Sequence, residues 1–162
     1  MVKSQAMPAS VILPAPATGR FIAAVHHFPL RVYFEDTDLS GVVYHANYLR
    51  YMERARSDML RVAGIDQRAA HEGDAGVYAV TDIEIRYRRP ARLDDDLMVV
   101  SQVTEVGAAT CAIQQRVMRG AEELTGGTVS VAWLSPQGRP QRQPKAWTQI
   151  YSRLMRGEDI HP

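Results

Sequence analysis

Hydrophobic residues recur along this chain with two different periods, one typical of a helix and one typical of strands. Between residues 45 and 63 the apolar positions are spaced four, three, four and three apart, which predicts one amphipathic helix that ends before Gly64. The stripe expected to be buried consists of Tyr48, Met52, Ala55, Met59 and Val62. The face expected to be exposed consists of Arg50, Glu53, Arg54, Ser57, Asp58 and Arg61.

Alternating apolar and polar residues predict a strand over 28–34, before this helix, and four strands after it. The later strands are expected at 77–87, 97–106, 110–118 and 124–134, with a short helical turn at 66–71 and a terminal helix at 146–155. Gly107 and the Arg119-Gly120 pair predict tight turns, so we expect consecutive strands to pair as hairpins. One long helix followed by an antiparallel meander is an α+β arrangement.

The chain divides into three parts by composition. Residues 1–25 are rich in alanine and contain Pro8, Pro14 and Pro16, which interrupt the continuous apolar helix that a secretory signal needs. We therefore expect a disordered extension there, a single domain over 26–156 and a tail at 157–162.

Charge and cysteine content exclude several classes of protein. Nineteen Lys and Arg against eighteen Asp and Glu give a formal charge of +1, which argues against binding nucleic acid or a membrane surface by bulk electrostatics. No apolar run approaches the roughly 20 residues of a membrane span. Cys111 is the only cysteine, so no internal disulfide and no zinc site of several thiolates can form. These features favour a cytoplasmic protein.

The segment that carries chemistry joins the first strand to the helix. Glu35, Asp36 and Asp38 precede Gly41 and the helix start, where the first N–H groups lack intrahelical partners and carry partial positive charge. A carboxylate facing such groups can pair a base or nucleophile with an oxyanion site. Two other interpretations stay open, a solvated cap and a metal site formed by Asp36, Asp38 and His45. No second cluster of His and carboxylates lies nearby in sequence, so we expect no metal.

Residues 36–48 read Asp-Thr-Asp-Leu-Ser-Gly-Val-Val-Tyr-His-Ala-Asn-Tyr. This run resembles the motif of the hotdog-fold acyl-CoA thioesterases, in the 4-hydroxybenzoyl-CoA thioesterase branch with its Tol–Pal-associated relatives. The run Glu-Arg-Ala-Arg at 53–56 and the run Pro-Ala-Arg-Leu-Asp-Asp at 90–95 also fit that family. The similarity covers about 28–155. It implies a hotdog fold, an antiparallel sheet of about five strands wrapped around one long central helix.

The resemblance also implies roles for individual residues. Asp38 matches the catalytic carboxylate, and His45 matches the motif histidine whose backbone N–H faces the thioester oxygen. Asp36 would be structural or a partner in the hydrogen-bond network. The residues implied to line the substrate pocket are Gly41, Val43, Tyr44 and Asn47. Phe34 stands where relatives often carry Tyr, so Tyr33 or a water molecule would have to orient the carboxylate instead.

The activity implied is hydrolysis of an acyl- or aroyl-CoA thioester to the free acid and coenzyme A, with Asp38 as nucleophile or general base. No separate cofactor is expected, because coenzyme A is part of the substrate. A dehydratase of the same fold and a non-catalytic module that binds acyl-CoA or acyl carrier protein are the alternatives. The expected partners are further copies of the chain, as a homodimer or homotetramer, and an acyl carrier protein.

Four arginines fall within seven residues, with no acid among them: Arg86, Arg88, Arg89 and Arg92. Because guanidinium groups match phosphates, these residues are candidates for binding the phosphates of coenzyme A. The alternative is a solvated strand edge that is protected by charge.

Overall fold

Six antiparallel strands form one sheet, and the predicted amphipathic helix lies against it. The computed structural model describes residues 13–160. The strands are β1 (Arg20–Ile22), β2 (Val25–Arg31), β3 (Val77–Tyr87), β4 (Asp96–Val106), β5 (Thr110–Arg119) and β6 (Glu122–Leu134). The helices are α1 (His45–Val62), α2 (Gln67–Glu72) and α3 (Lys145–Met155), and a short 3-10 turn covers Phe34–Asp36. The α+β class and, within 13–160, the one long central helix are confirmed, although the sheet of the described residues has six strands instead of about five.

The strands are ordered β1-β2-β4-β5-β6-β3 across the sheet. The hairpins predicted at Gly107 and at Arg119-Gly120 are confirmed as the pairs β4–β5 and β5–β6. Consecutive pairing fails at β3, which pairs with β6 instead of β4 and so forms one edge of the sheet. The segment 88–95 between β3 and β4 is long enough to cross from one side of the sheet to the other, whereas a hairpin needs only a few residues.

The core lies between α1 and the sheet. Four residues of the predicted stripe are almost fully buried, and Val62 is half-buried. Met52 packs in a cluster with Val99 and other strand residues near the start of α1, and Met59 packs in a second cluster with Tyr151 of α3. Burying a large apolar side chain contributes about 1.5–3 kcal/mol, so this stripe fixes α1 on the sheet.

Two predictions about single elements are wrong. Asp58, assigned above to the exposed face of α1, is only 2% exposed, because it accepts hydrogen bonds from the His26 ring and the Gly19 amide. The strand predicted over 28–34 ends at Arg31. Beyond it the Asp36 carboxylate accepts the Tyr33 amide at 2.8 Å, which folds the chain into the 3-10 turn.

The folded unit is longer at both ends than 26–156. Strand β1 lies inside the stretch expected to be a disordered extension and pairs with β2. Within the expected tail, Ile160 is buried in the core and the Asp159 carboxylate accepts the Ala24 amide at 2.9 Å. Residues 1–12 of the expected extension and 161–162 of the expected tail lie outside the described residues.

None of the helices within 13–160 is long and apolar enough to cross a membrane.

Candidate functional site

A tight loop presents Asp38 in front of α1. The Asp38 amide donates to the Val42 carbonyl at 2.9 Å, the Gly41 amide donates to the Asp38 carbonyl at 3.0 Å, and Thr37 pairs with Val43 as an antiparallel bridge. Gly41 has a φ of +76°, a backbone conformation that other residues adopt only with strain. The loop is therefore a small hairpin with the Asp38 carboxylate exposed at its tip.

Ser40 is the partner of this carboxylate. Its amide and its hydroxyl both donate to the same oxygen of Asp38, Oδ1, at 2.8 and 2.5 Å. The Ser40 hydroxyl and then its amide lower the pKa of Asp38 below its ordinary value, and the nearby charge of His45 adds to that effect. Because hydrogen bonds to the charged form favour ionisation, Asp38 is a carboxylate at neutral pH.

The N-terminus of α1 is left open. The Tyr44 amide and the Asn47 side-chain amide both donate to the Asp36 carbonyl at 2.9 Å, which joins the loop to the first turn of the helix. No side chain within 13–160 caps the helix, and no acidic residue lies in its first turn. The amides of His45 and Ala46 therefore stay available to a ligand atom, at the end of the helix that carries partial positive charge.

An open pocket of about 260 Å³ adjoins this helix start. Its walls combine three aromatic rings with apolar residues and two arginines: Val43, His45, Tyr48, Tyr87, Arg88, Arg89 and Pro90. The Tyr87 hydroxyl donates to the His45 carbonyl at 2.9 Å, and the Tyr48 hydroxyl accepts the Ala91 amide at 2.9 Å. Since both hydroxyls are engaged, the two rings present mainly apolar surface to a ligand.

Sequence reasoning missed Tyr48 and Tyr87 as pocket residues. Tyr48 belongs to the predicted buried stripe, and it is almost fully buried, but it also lines the pocket. Ile83, Ile85 and Tyr87 alternate with charged residues at the end of β3, and this alternation was the available signal that the Tyr87 ring faces inward. Its place beside α1 depends on the pairing of β3 with β6, which sequence reasoning did not predict.

The pocket residues implied by the resemblance are only partly brought together. Of the four implied residues only Val43 lines the pocket, whereas Gly41, Tyr44 and Asn47 lie outside its wall, and His45, implied as a catalytic residue, also lines it. The Tyr44 ring is exposed and packs against the His45 ring, with 4.4 Å between ring centroids. Asn47 is buried and its amide is used to hold the loop. Asp38 faces solvent at the loop tip, outside the pocket wall of its own chain.

Two of the four candidate arginines, Arg88 and Arg89, line this pocket. Arg86, Arg88 and Arg89 form ion pairs with Glu84, Glu123 and Glu122, at 3.1, 3.2 and 3.0 Å. The charge block is therefore partly neutralised, by Glu84 of the same strand and by Glu122 and Glu123, which the tertiary structure brings to it. Exposed ion pairs contribute about 0–1 kcal/mol, so a phosphate can displace their acids at low cost. Arg92 is exposed, and its amide is held by the Asp95 carboxylate at 2.9 Å.

Asp36 and Cys111 are buried residues, and neither is placed to react with a substrate. Asp36 is buried and its carboxylate holds the Tyr33 amide. Within 13–160, no three His, Cys, Asp or Glu side chains form a group that could hold a metal ion. Cys111 is buried, and burial raises the pKa of its thiol to about 12, so it stays protonated.

Comparison with known proteins identifies the family of this chain. A family model described as the thioesterase superfamily matches residues 40–125. The acyl-CoA thioesterase YbgC of Haemophilus influenzae is 47% identical over 105 residues, which cover 65% of this chain and 77% of that protein. The acyl-CoA thioester hydrolase YbgC of Escherichia coli O157:H7 is 36% identical over 121 residues, 74% of this chain and 90% of that protein.

A solved thioesterase structure also has a fold similar to that of this chain. A thioesterase of Thermus thermophilus, complexed with coenzyme A and Zn, superposes with a TM-score of 0.71 at 28% identity, covering 85% of this chain and 97% of that one. The chain belongs to the thioesterase superfamily. It is a thioester hydrolase with the hotdog fold.

Proposed function

We propose that this protein hydrolyses acyl-CoA thioesters, with Asp38 as the catalytic carboxylate and the first amides of α1 as the oxyanion site. The observation that carries the proposal is the loop that presents an ionised, exposed carboxylate directly before an uncapped helix N-terminus. The names of the two YbgC relatives and the coenzyme A bound by the Thermus thermophilus thioesterase support acyl-CoA as the substrate class.

The chemistry of a thioester suits this simple set of groups. The leaving group is a thiolate, whose conjugate acid has a pKa of about 8.5, so it leaves without a strong general acid. The main demand is stabilisation of negative charge on the carbonyl oxygen, and the amides of His45 and Ala46 supply donors for it. Loss of one such donor typically costs about 100- to 1,000-fold in rate.

Asp38 has two possible modes of action, and both need it ionised. As a nucleophile it attacks the carbonyl carbon, expels the thiolate and forms a mixed anhydride that water then hydrolyses. As a general base it takes a proton from the attacking water. The lowered pKa of Asp38 keeps the carboxylate charged at neutral pH in either case.

We further propose that two copies of the chain build one active site. Strand β3 is an edge strand, and pairing with a second copy would satisfy its free backbone groups. Asp38 lies outside the pocket of its own chain, so a facing copy supplies the remaining wall. The acyl group is aliphatic or aromatic, and an acyl carrier protein is a second candidate donor of the thioester.

The decisive experiment replaces Asp38 with Asn and follows release of free thiol from hexanoyl-CoA and benzoyl-CoA. We expect kcat to fall about 100- to 10,000-fold, because this is the rate enhancement that a general base usually contributes. Asp74→Asn is the matched control, because Asp74 is exposed, is separated from Asp38 along the chain by the whole of α1, and has a positive φ that Asn tolerates. Turnover by Asp38→Asn equal to that of Asp74→Asn would refute the role of Asp38.

The same experiment separates an enzyme from a binding module. A module that only binds acyl-CoA would bind both substrates, measured by calorimetry, and release no thiol in the wild type or in either variant. Thiol release by the wild type at a rate proportional to protein concentration excludes that alternative.

Arg88 and Arg89 are proposed to bind the phosphates of coenzyme A. Replacing both with Ala should raise KM for benzoyl-CoA about tenfold, since each charged hydrogen bond contributes about 1.5–3 kcal/mol before the competing ion pairs are subtracted. The KM for a benzoyl thioester of N-acetylcysteamine, which lacks phosphates, should stay unchanged. Arg139→Ala with Arg142→Ala, two exposed arginines in the loop before α3, is the matched control. Equal changes for both substrates would argue for a merely structural role.

A further inference from the structure

Asp38 sits on a loop that offers its side chain almost no packing. Its carboxylate is exposed, and a Cβ placed on the neighbouring Gly41 would meet no atom within 4 Å, so that side of the turn is open. An exposed Asp side chain samples several rotamers, and a catalytic carboxylate loses rate when its geometry is not held. Some other group must therefore fix Asp38.

The hydroxyl expected for that task does not perform it. Tyr33 is exposed, and within 13–160 no hydrogen bond joins it to Asp38. Phe34, at the position where relatives often carry Tyr, is 82% exposed and has no hydroxyl. Neither residue holds the carboxylate.

Ser40 is the residue that does contact it. The Ser40 amide would close this turn with almost any side chain at position 40, but the hydroxyl is specific to serine and adds a second donor to the same oxygen, Oδ1. Two donors on one oxygen restrain the rotation of the carboxylate, and the nearby Val42 amide also favours its charged form. No hydrogen bond from the described residues reaches Oδ2.

We infer that Ser40 is a positioning residue, whose hydroxyl holds Asp38 so that Oδ2 faces the thioester or the attacking water. This inference rests on the proposed catalytic role of Asp38. The hydroxyl makes Oδ1 a weaker base, which by itself would slow proton transfer from water, whereas fixing the rotamer speeds the reaction. Because orientation effects in catalysis are larger than the effect of one hydrogen bond on basicity, the net contribution of the hydroxyl is favourable.

The same loop contains a hydroxyl that serves as a control. The Thr37 hydroxyl donates to the Phe34 carbonyl at 2.8 Å, and within 13–160 it makes no hydrogen bond to the Asp38 carboxylate. Thr37→Val removes a hydroxyl that supports the loop and keeps the β-branched shape. Any effect of Ser40→Ala that Thr37→Val shares comes from a general loosening of the loop.

The test has two independent readouts, both on the full chain. The first is kcat and KM for hexanoyl-CoA and benzoyl-CoA over a range of pH. The second is the titration of the Asp38 carboxyl group, followed by NMR of its carboxyl carbon in protein labelled at aspartate and assigned with Asp38→Asn.

We expect Ser40→Ala to lower kcat about three- to tenfold with little change in KM, the loss typical of one hydrogen bond to a charged group. The Asp38 titration and the acidic limb of the kcat profile should both move to higher pH. Ser40→Thr, which keeps the hydroxyl, should restore both, and Thr37→Val should change neither.

Three results would overturn the inference. The Asp38 titration could be the same in Ser40→Ala and in the wild type. Ser40→Ala could retain wild-type or higher kcat while Asp38→Asn is inactive, in which case the proposed function stands and the positioning role fails. Asp38→Asn could itself retain activity, which removes the proposed function together with the inference that depends on it.

Discussion

His26 and Asp58 form a buried pair that joins strand β2 to helix α1. The ring Nε2 lies 2.9 Å from Asp58 Oδ2, and both side chains are almost completely excluded from solvent. A carboxylate only accepts, so Nε2 must carry the proton and donate it. The other ring nitrogen, Nδ1, is buried and has no partner among the described residues. Protonating it would bury an unsatisfied donor, and desolvation accordingly lowers the pKa of His26 despite the neighbouring carboxylate.

This pair predicts a stability that decreases in acid. A histidine with a lowered pKa binds fewer protons in the folded state than in the unfolded state, where it titrates near 6.5. Its contribution to the free energy of unfolding is complete above that pH and is lost as the pH falls below it. The midpoint of thermal unfolding should therefore decrease between pH 7.5 and 5.5, and more steeply in the wild type than in His26→Gln.

The control for this prediction is His71→Gln, because His71 is exposed on α2. That variant should keep the wild-type dependence on pH. An equal slope for the wild type and His26→Gln would show that other groups, in place of the buried pair, set the acid sensitivity.

Strands β3 and β6 pair closely at two adjacent glycines in the middle of β6. A Cβ on Gly127 would overlap the backbone carbonyl oxygen of Glu84 on β3, which can move only if the two strands separate. A Cβ on Gly126 would instead meet the end of the flexible Glu123 side chain, which can rotate away. The two positions therefore differ in their tolerance of a methyl group, although both lie within one strand.

We expect Gly127→Ala to lower the free energy of unfolding by about 2–3 kcal/mol, the cost of an added atom where the backbone cannot relax. Gly126→Ala should change it by less than about 1 kcal/mol, because the loss of the Glu123 pair with Arg88 is offset by the lower entropy of the unfolded chain. Urea unfolding of the two variants measures the difference directly. Equal stabilities would mean that β3 is free to shift away from β6.

Strand β3 also exposes apolar side chains at the edge of the sheet. Ile83 pairs in register with the buried Val129 and so points to the core face, yet it is 40% exposed, and Val80 on the same strand is 45% exposed. A row of apolar residues on a free edge invites another strand. At the scale of the whole molecule, this edge is the surface that we expect a second copy to cover.

A lysine at this edge should separate the copies. We expect the wild type to sediment as a dimer or tetramer at micromolar concentration. Ile83→Lys should sediment as a monomer, keep its helical circular dichroism and lose acyl-CoA hydrolysis, since the site is proposed to need two chains. Gln102→Lys, on the exposed outer face of the central strand β4, is the control for added charge. A fully active monomer would contradict the two-chain site.

The sequence by itself determined those helices, turns and loops whose pattern lies within a few consecutive residues. The stripe from Tyr48 to Val62 determined α1, because a helix buries one face whatever lies opposite it. Turn residues determined the hairpins from β4 to β6, and the unusual run at 36–48 identified the loop before the helix. The candidate role of Asp38 could be predicted without a structure for the same reason, because the residues of this loop are consecutive in the chain.

Tertiary structure decided what depends on residues far apart in the chain. Asp58 looked like an exposed helix residue until His26, 32 positions earlier, was found to cover it. The arginine block looked uncompensated until Glu122 and Glu123 were brought beside it by the pairing of β3 with β6. Burial and charge depend on which atoms exclude water from a group. That is a property of packing between distant segments, and no local pattern in the sequence encodes it.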